Sequence, residues 1–411
     1  SNGPGVANVL PGVAVEQAEG NRVLLITSSR RQPIIYPDRG GTYQYFPQVE
    51  VIGSMAKWSC HVPEVGRVGE IMRHALRRCY KGRPGVVHVD IPENIMNGDF
   101  DLDPSWLREP SSYRVQHRLE PADRLVNRTA DMLADCDFPL IHVGSGVIHA
   151  QATDLVHELA ELLEATVTTS WAGRAAVNEQ RRQIVPMIYL DTVKKARNKA
   201  DLVLTLGSRL GETDWWGKAP YWARPENQKM IQVDIDEETL GANKPADLLV
   251  QADVRAYLRK LIEEVKKRGL RPTDERLAHV EKLQKSAIRR RDELDEKLQP
   301  DADPMSSAQI PVACQEIFDD DAVIVVDGGN TAIWANFFHE IRVPNTVVTT
   351  PKMGMLGAGV SQTLGAKVAH PDRQVYCIIG DGAMGFHPQE VETAVRHDLD
   401  VVYLVRSEER R

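Results

Sequence analysis

Val375-Tyr376-Cys377-Ile378-Ile379-Gly380-Asp381-Gly382-Ala383 is the stretch around which the rest of the chain is read. Its apolar run shows no alternation, the pattern of a strand buried on both faces of a parallel sheet. The run ends in Gly-Asp-Gly, a helix over Pro388–Arg396 follows within a few residues, and a second strand begins at Val401. An aspartate at the carboxyl end of a parallel strand stands where α/β sheets bind ligands. Flanking glycines let the backbone approach an anion, and the next helix start attracts phosphate. The carboxylate can then hold Mg²⁺, which bridges to phosphate oxygens. The plain alternative is that Asp-Gly makes only a tight turn.

Upstream, Val326-Asp327-Gly328-Gly329-Asn330-Thr331 is another strand end with small residues and side-chain donors. Between the two lies Met353-Gly354-Met355-Leu356-Gly357-Ala358-Gly359-Val360, which runs into a helical stretch at Ser361–Val368. Three ligand-friendly turns at successive strand ends favour a binding site over an isolated turn. Earlier strands are expected at Val23–Thr27, Gly85–Pro92, Pro139–Gly144, Thr166–Ser170, Asp201–Ser208 and Lys229–Asp236. Later ones are expected at Ala322–Asp327 and Thr346–Thr350, and helices at Val68–Tyr80 and Ala152–Glu164. This alternation predicts an α/β protein of three doubly wound parallel-sheet units, spanning 1–105, 120–270 and 305–411. Pro104–Pro121 is a polar, proline-bearing linker, and 271–304 is a charged one. Its Arg289-Arg290-Arg291 followed by Asp292-Glu293 suits a solvated helix with internal ion pairs, or a helix that docks a partner.

Composition narrows the class. The chain has 411 residues, 42% apolar and 26% charged, with 50 Lys+Arg against 58 Asp+Glu and a net charge of −8. That mix fits a globular protein of two or three domains and disfavours a disordered chain. The acidic balance argues against a nucleic-acid partner. No apolar run approaches the ~18 residues that cross a bilayer, so no membrane is expected. Five cysteines (Cys60, Cys79, Cys136, Cys314, Cys377) lie far apart with no C-x-x-C spacing, which suits reduced thiols and a cytoplasmic location.

The three turns give the chain its family likeness. It resembles the thiamin diphosphate enzymes of the acetolactate synthase-like superfamily over essentially its whole length, as pyrimidine-binding, central and diphosphate-binding domains. Ser1-Asn2-Gly3-Pro4-Gly5-Val6-Ala7-Asn8 is similar to that family's "SGPG…N" segment, and Pro84–Pro92 to the strand closing its first domain. The resemblance implies that Asp381 ligates Mg²⁺, and that Gly380 and the Gly382 and Ala383 amides, with Asn330 and Thr331, hold the diphosphate. It implies that Leu356 wedges between the two rings of the cofactor, and that Gly354, Met355 and Leu356 bind the aminopyrimidine. The bend so enforced brings an intramolecular base beside the reactive carbon; the protein supplies position and electrostatics.

Departures from the family are equally specific. Its second metal ligand, usually Asn, falls 27 residues beyond Asp381, on Glu408 in Arg406-Ser407-Glu408-Glu409-Arg410-Arg411. Its catalytic Glu lies upstream of the "GPG" segment and is not in this sequence. The first and third domains are therefore expected to be incomplete, the sequence being a fragment or a joining of pieces, and inactive as it stands. Ser29 stands where acetolactate synthases have Gln, while Tyr43 and Gln44 match positions that face the site.

In the central domain, Gly144 and Gly146, Gly207 and Arg209, Asp234, and Asp253 stand at or just beyond strand ends. The resemblance implies FAD there in one branch and ADP in the oxalyl-CoA decarboxylase branch. Pro186-Met187-Ile188-Tyr189 replaces the Gly-Met-His-Gly of flavin-binding members, which argues against FAD, and the turns can also persist without a ligand. Trp215, Trp216, Tyr221 and Trp222 line an entrance or pack against a neighbouring subunit. The likeness implies a homodimer or homotetramer. It also implies a lyase or transferase that decarboxylates a 2-keto acid and acts as a carboligase, with pyruvate giving 2-acetolactate. A 2-hydroxyacyl-CoA lyase, oxalyl-CoA decarboxylase or benzaldehyde lyase-like enzyme, with an acyl-CoA substrate in the CoA versions, is the alternative. A homologue that has lost the cofactor is the third. His88 and His387 are assigned no function.

Overall fold

A computed structural model describes residues 1–101, 103–298 and 305–407. Every paired strand in it is parallel. The chain forms two compact units, 1–117 and 118–411.

The first unit holds β1 (Val23–Ser29), β2 (Trp58–His61) and β3 (Val86–Pro92), in the order β1-β3-β2. Strand β2 escapes sequence reading because Trp-Ser-Cys-His has no Val/Ile run. The helix Val68–Tyr80 covers one face, packing Ile71, Ala75 and Cys79 on Val87, Val89 and Ile91. The other face carries Val86, His88 and Asp90 at every second position, so its upper part is polar. Asp90 is buried and accepts from Thr27 Oγ1 at 3.0 Å and Gln48 Nε2 at 2.6 Å, and its other oxygen lies 2.9 Å from His61 Nδ1. Burial pushes the Asp90 carboxyl up, but these hydrogen bonds more than offset that and hold it below its ordinary value.

His88 has the structural role expected for a lone strand histidine. Its ring lies between Thr27 Oγ1 at 2.7 Å and Ser59 Oγ at 2.8 Å. Burial pulls its pKa down to about 4, against a weaker opposing pull from Asp90. The neutral ring is thus favoured in the folded state, and its contribution to stability is full above pH 6.5 and lost as pH falls toward 4. The expected loss is roughly 3 kcal/mol over that window. Chemical denaturation at pH 7 and pH 4.5 checks this: His88→Gln should flatten the pH dependence of the first unit, and an unchanged slope would contradict it.

The second unit contains two sheets. The central sheet runs β5-β4-β6-β7-β8, with β4 (Pro139–Val143), β5 (Thr166–Thr169), β6 (Leu202–Leu206), β7 (Lys229–Asp234) and β8 (Leu248–Gln251). One face buries Ile141, Val143, Leu204 and Leu206 under the helices Asp123–Ala134, Thr153–Leu163 and Val254–Arg268. The opposite face buries Leu140, Val203, Met230 and Trp222. The charged 271–304 stretch contributes a helix, Asp274–Asp295, with Val280, Leu283, Ala287 and Leu294 buried along one stripe. Its other side carries the expected internal pairs Glu281–Lys285 and Arg289–Glu293, while Arg291–Asp295 borders the buried stripe, with Arg291 also donating to the Phe338 carbonyl. Residues 299–304 lie outside the described part.

The last sheet runs β10-β9-β11-β12, with β9 (Val323–Asp327), β10 (Val347–Val348), β11 (Val375–Gly380) and β12 (Val402–Arg406). Strand β11 is buried throughout, as its unbroken apolar run predicts. All five cysteines are free thiols, and burial pushes the Cys136 and Cys377 thiols up to about 12. Among the described residues no helix is long and apolar enough to cross a membrane.

Candidate functional site

The strand order of the last sheet creates a crevice. From β9 the chain steps to β10 on one side and then to β11 on the other, so the carboxyl ends of β9 and β11 flank a topological switch point. Asp327 ends β9 and Asp381 follows the last residue of β11. Gly328 has φ +106°, and a Cβ there would stand 3.0 Å from the Gly380 amide nitrogen, so only glycine lets the two turns approach this closely.

Asp381 is exposed at the mouth. Its Oδ1 accepts from the Gly382 amide and its Oδ2 from the Ser407 hydroxyl, each at 2.8 Å. Those two hydrogen bonds hold its carboxyl below the ordinary range, so it is ionised at neutral pH. Asn330 and Thr331 open the helix Asn330–Phe338. The buried Thr331 hydroxyl lies 3.4 Å from where a Gly380 Cβ would stand, which brings that helix start to the Gly-Asp-Gly turn. Ala383 is buried beneath the turn, on Val325 and Ile379.

The Gly354–Leu356 segment reaches the same crevice through a residue to which sequence reasoning gave no role. Asp327 is buried, and its Oδ2 accepts from the Gly357 amide at 2.9 Å and the Gly359 amide at 2.8 Å. One carboxylate thus pins the loop that carries Gly354, Met355 and Leu356 to the end of β9. Leu356 is left 39% exposed, which suits a side chain that meets a ligand better than one in the core. Its position, an acid at a strand end before two glycines, was the signal available. Gly359→Ala tests the pin. The new Cβ would stand 2.5 Å from Asp327 Cβ, and we expect a loss of about 1–3 kcal/mol in thermal denaturation.

The residues present fit Mg²⁺–thiamin diphosphate. Mg²⁺ takes one or two protein oxygens and fills its shell with phosphate oxygens and water, so no larger cluster is needed. Among the described residues no three His, Cys, Asp or Glu side chains gather as a metal site. Asp381 supplies an ionised oxygen, Ser407 stands beside it, and the space where a Gly382 Cβ would sit is open. Glu408, where the family count puts the second ligand, lies outside the described residues.

The central turns are built differently. The switch point of that sheet lies between β4 and β6, where Gly144, Gly146 and Gly207 meet. A Cβ on Gly146 would stand 2.6 Å from the Gly207 Cα, and the Gly146 amide donates to the Gly207 carbonyl at 3.1 Å. The glycines there serve contact between the two turns. Asp234 is buried, with its pKa pushed up to about 6 by burial, and it accepts from the Asp236 amide. Arg209 is exposed and weakly opposes that shift. Asp253 caps the helix Val254–Arg268 through the Ala256 amide and pairs with Arg118 at 2.9 Å. Of the four aromatics, Trp222 is core and Trp215 stacks on Tyr221 at 3.9 Å; Trp216 is exposed. In the first unit, Tyr43 is 75% exposed and Gln44 packs its carbonyl against Gly3, joining the two motif segments.

Comparison with known proteins agrees with this geometry. Residues 126–261 match the family described as "Thiamine pyrophosphate enzyme, central domain", and 327–409 match "Thiamine pyrophosphate enzyme, C-terminal TPP binding domain". A probable acetolactate synthase large subunit of Methanocaldococcus jannaschii is 26% identical over 98% of this chain and 68% of its own length. The acetolactate synthase isozyme 1 large subunit of Escherichia coli is 27% identical over 99% and 69%. The 2-hydroxyacyl-CoA lyase 1 of Dictyostelium discoideum is 26% identical over 98% and 72%. The chain thus spans roughly two thirds to three quarters of the length of these relatives. Three parallel α/β sheets, a Gly-Asp-Gly turn at the switch point of the last, and two matched domains lead to one conclusion: the chain belongs to the acetolactate synthase-like superfamily of thiamin diphosphate enzymes.

Proposed function

We propose that the chain is part of a thiamin diphosphate- and Mg²⁺-dependent carbon–carbon lyase and carboligase acting on 2-keto acids, with pyruvate decarboxylation and condensation as its reaction. The observation that carries this reading is the convergence of three segments at the β9/β11 crevice around the ionised Asp381. The chemistry supplied by the bound cofactor is carbanion catalysis: attack on a keto carbon and acceptance of the electron pair left as CO₂ departs.

The chain's own residues bind and position. Asp381 takes the metal through its free lone pairs, with Ser407 fixing the carboxylate's orientation. Asn330, Thr331, Gly380 and the amides of Gly382 and Ala383 hold the diphosphate at the start of the helix Asn330–Phe338. Gly354, Met355 and Leu356 take the pyrimidine end, held in place by the Asp327 pin. Apolar side chains left exposed on the last domain, among them Ile333, Trp334, Met353 and Phe386, support a homodimer or homotetramer.

The test is isothermal titration of thiamin diphosphate with and without Mg²⁺, followed by CO₂ release from pyruvate with acetolactate as product. No cofactor binding would sink the whole reading. Binding with cleavage of a 2-hydroxyacyl-CoA and no acetolactate would replace it by the lyase alternative, which the equally similar 2-hydroxyacyl-CoA lyase supports. Binding with neither activity would favour the non-catalytic homologue.

A further inference from the structure

The helix whose first residues we assign to the diphosphate is held at its other end by a buried ion pair from the central domain. Arg174 and Glu179 follow β5 and are both buried. Their contact is a two-pronged fork, Nε to Oε1 at 2.7 Å and Nη2 to Oε2 at 2.9 Å. The remaining Arg174 donors leave the central domain. Nη1 donates to the Asn336 carbonyl at 2.6 Å and Nη2 to the His339 carbonyl at 2.8 Å. These carbonyls belong to the last turn of the helix Asn330–Phe338 and the residue just after it, where carbonyls lack partners within the helix and a positive charge is favoured.

Glu179 extends the hold. Its Oε2 accepts from the Ile341 amide at 2.9 Å, and its own amide donates to the Ile341 carbonyl at 2.8 Å. The Asn345 amide donates to the Ala175 carbonyl at 2.7 Å. On the opposite side of the same loop, Gly173 packs its Cα against the Val143 carbonyl and Gly144, leaving no room for a side chain. The loop is therefore seated on the central sheet and grips the helix end from there.

The helix gains from such a hold because the apolar part of its contact with its own sheet is smooth. Beyond Thr331 at its start, which lies by Gly380, Ala332 and Ala335 are the apolar residues it lays on Ile324, Tyr376 and Ile378, and alanine fixes axial position poorly. Its larger anchor, Phe338, sits among Met187, Ile188, Tyr189, Ala287 and Leu294, which lie before the last sheet in the chain. Ionic burial of this kind adds little net stability over apolar packing of the same volume, and its best-attested use is to fix register.

We propose that Arg174, locked by Glu179, is a positioning residue for the cofactor: by fixing the carbonyl end of the helix Asn330–Phe338 it sets where Asn330 and Thr331 stand over the Asp381 turn. The central domain then contributes to cofactor affinity without touching the cofactor. This inference rests on the assignment of Asn330 and Thr331 proposed above.

Two variants of the full chain test it. Arg174→Lys keeps the charge and loses the fork. Arg174→Met combined with Glu179→Leu removes the pair without stranding a charge, and it carries the test if the first fails to fold. Amide hydrogen exchange without cofactor is expected to quicken about tenfold at residues 333–335, the first amides bonded back to the helix start, with β9 amides unchanged. Titration with thiamin diphosphate at saturating Mg²⁺ is expected to show about tenfold weaker binding, equivalent to ~1.4 kcal/mol. Faster exchange confined to residues 336–341, with wild-type affinity, would overturn the proposal. Exchange rising equally in β9 would overturn it too, because that is the mark of a merely structural role. If the unaltered chain binds no thiamin diphosphate, the functional reading fails, while the exchange measurement still decides whether the clamp sets the helix start.

Discussion

Replacing Asp381 by Ala is expected to abolish Mg²⁺-dependent binding of thiamin diphosphate, weakening it by ~100-fold or more, because an ionised oxygen on a hard cation is the strongest contact this crevice offers. Asp381→Asn keeps the size and one acceptor but not the charge, and should lose nearly as much. The side chain is exposed and, among the described residues, accepts hydrogen bonds from Gly382 and Ser407, so both variants should fold with a thermal midpoint close to that of the unaltered chain. Without Mg²⁺, the three proteins should bind the cofactor equally weakly. The carboxyl is held below its ordinary range by those same hydrogen bonds, so the metal-dependent gain should be flat with pH above about 5 and fall only in acid. Calorimetric titration of each variant with and without Mg²⁺ is the measurement. Equal affinity in Mg²⁺ for the unaltered chain and Asp381→Ala would remove Asp381 as the metal ligand.

The largest effect on stability is expected at Asp214. Beneath the turns of the central sheet, Asp214 is 2% exposed and Arg197 1%, with Arg197 Nη2 at 3.1 Å from Asp214 Oδ1. His142 Nε2 lies 3.4 Å from the same oxygen, and the Trp222 indole donates to the Asp214 carbonyl at 2.8 Å. The guanidinium also lies over the Trp222 ring at 4.3 Å. Burial pushes the Asp214 carboxyl up, but His142 and Arg197 outweigh it and keep the group charged. Asp214→Ala leaves a cation in the core without its carboxylate, a loss of about 3–5 kcal/mol. For a unit of this size that is roughly a 10 °C fall in thermal midpoint. Arg197→Met together with Asp214→Ala should lose less than Asp214→Ala alone, because the stranded charge is gone. A single variant that costs under ~1 kcal/mol would mean that the cation finds water or another partner.

The crevice and its support were legible to different degrees. The unbroken apolar runs before Gly380 and Asp327, and the mostly apolar ones ending at Val143 and Leu206, announced buried parallel strands, because a strand covered on both faces has no polar side to alternate with. Gly-Asp-Gly and the glycines of 354–359 announced where backbone must come close to an anion, since that demand acts on single residues within a few positions of one another. So the sequence by itself determined the layered α/β plan, the family likeness and the segments that form the crevice.

What only the tertiary structure decided was which polar residues hold that crevice together. Asp327 meets Gly357 and Gly359 across 30 and 32 positions, and Arg174 meets Asn336 across 162. Ser407 meets Asp381 across 26. The glycines at 144, 146 and 207 lie in two turns far apart in the chain, and the fold brings them against each other. Periodicity and turn chemistry are local and leave a mark on neighbouring letters. Pairing of a carboxylate with distant amides, or of a buried cation with the end of a helix, depends on which strand lies beside which, and that order is set by packing of the whole sheet.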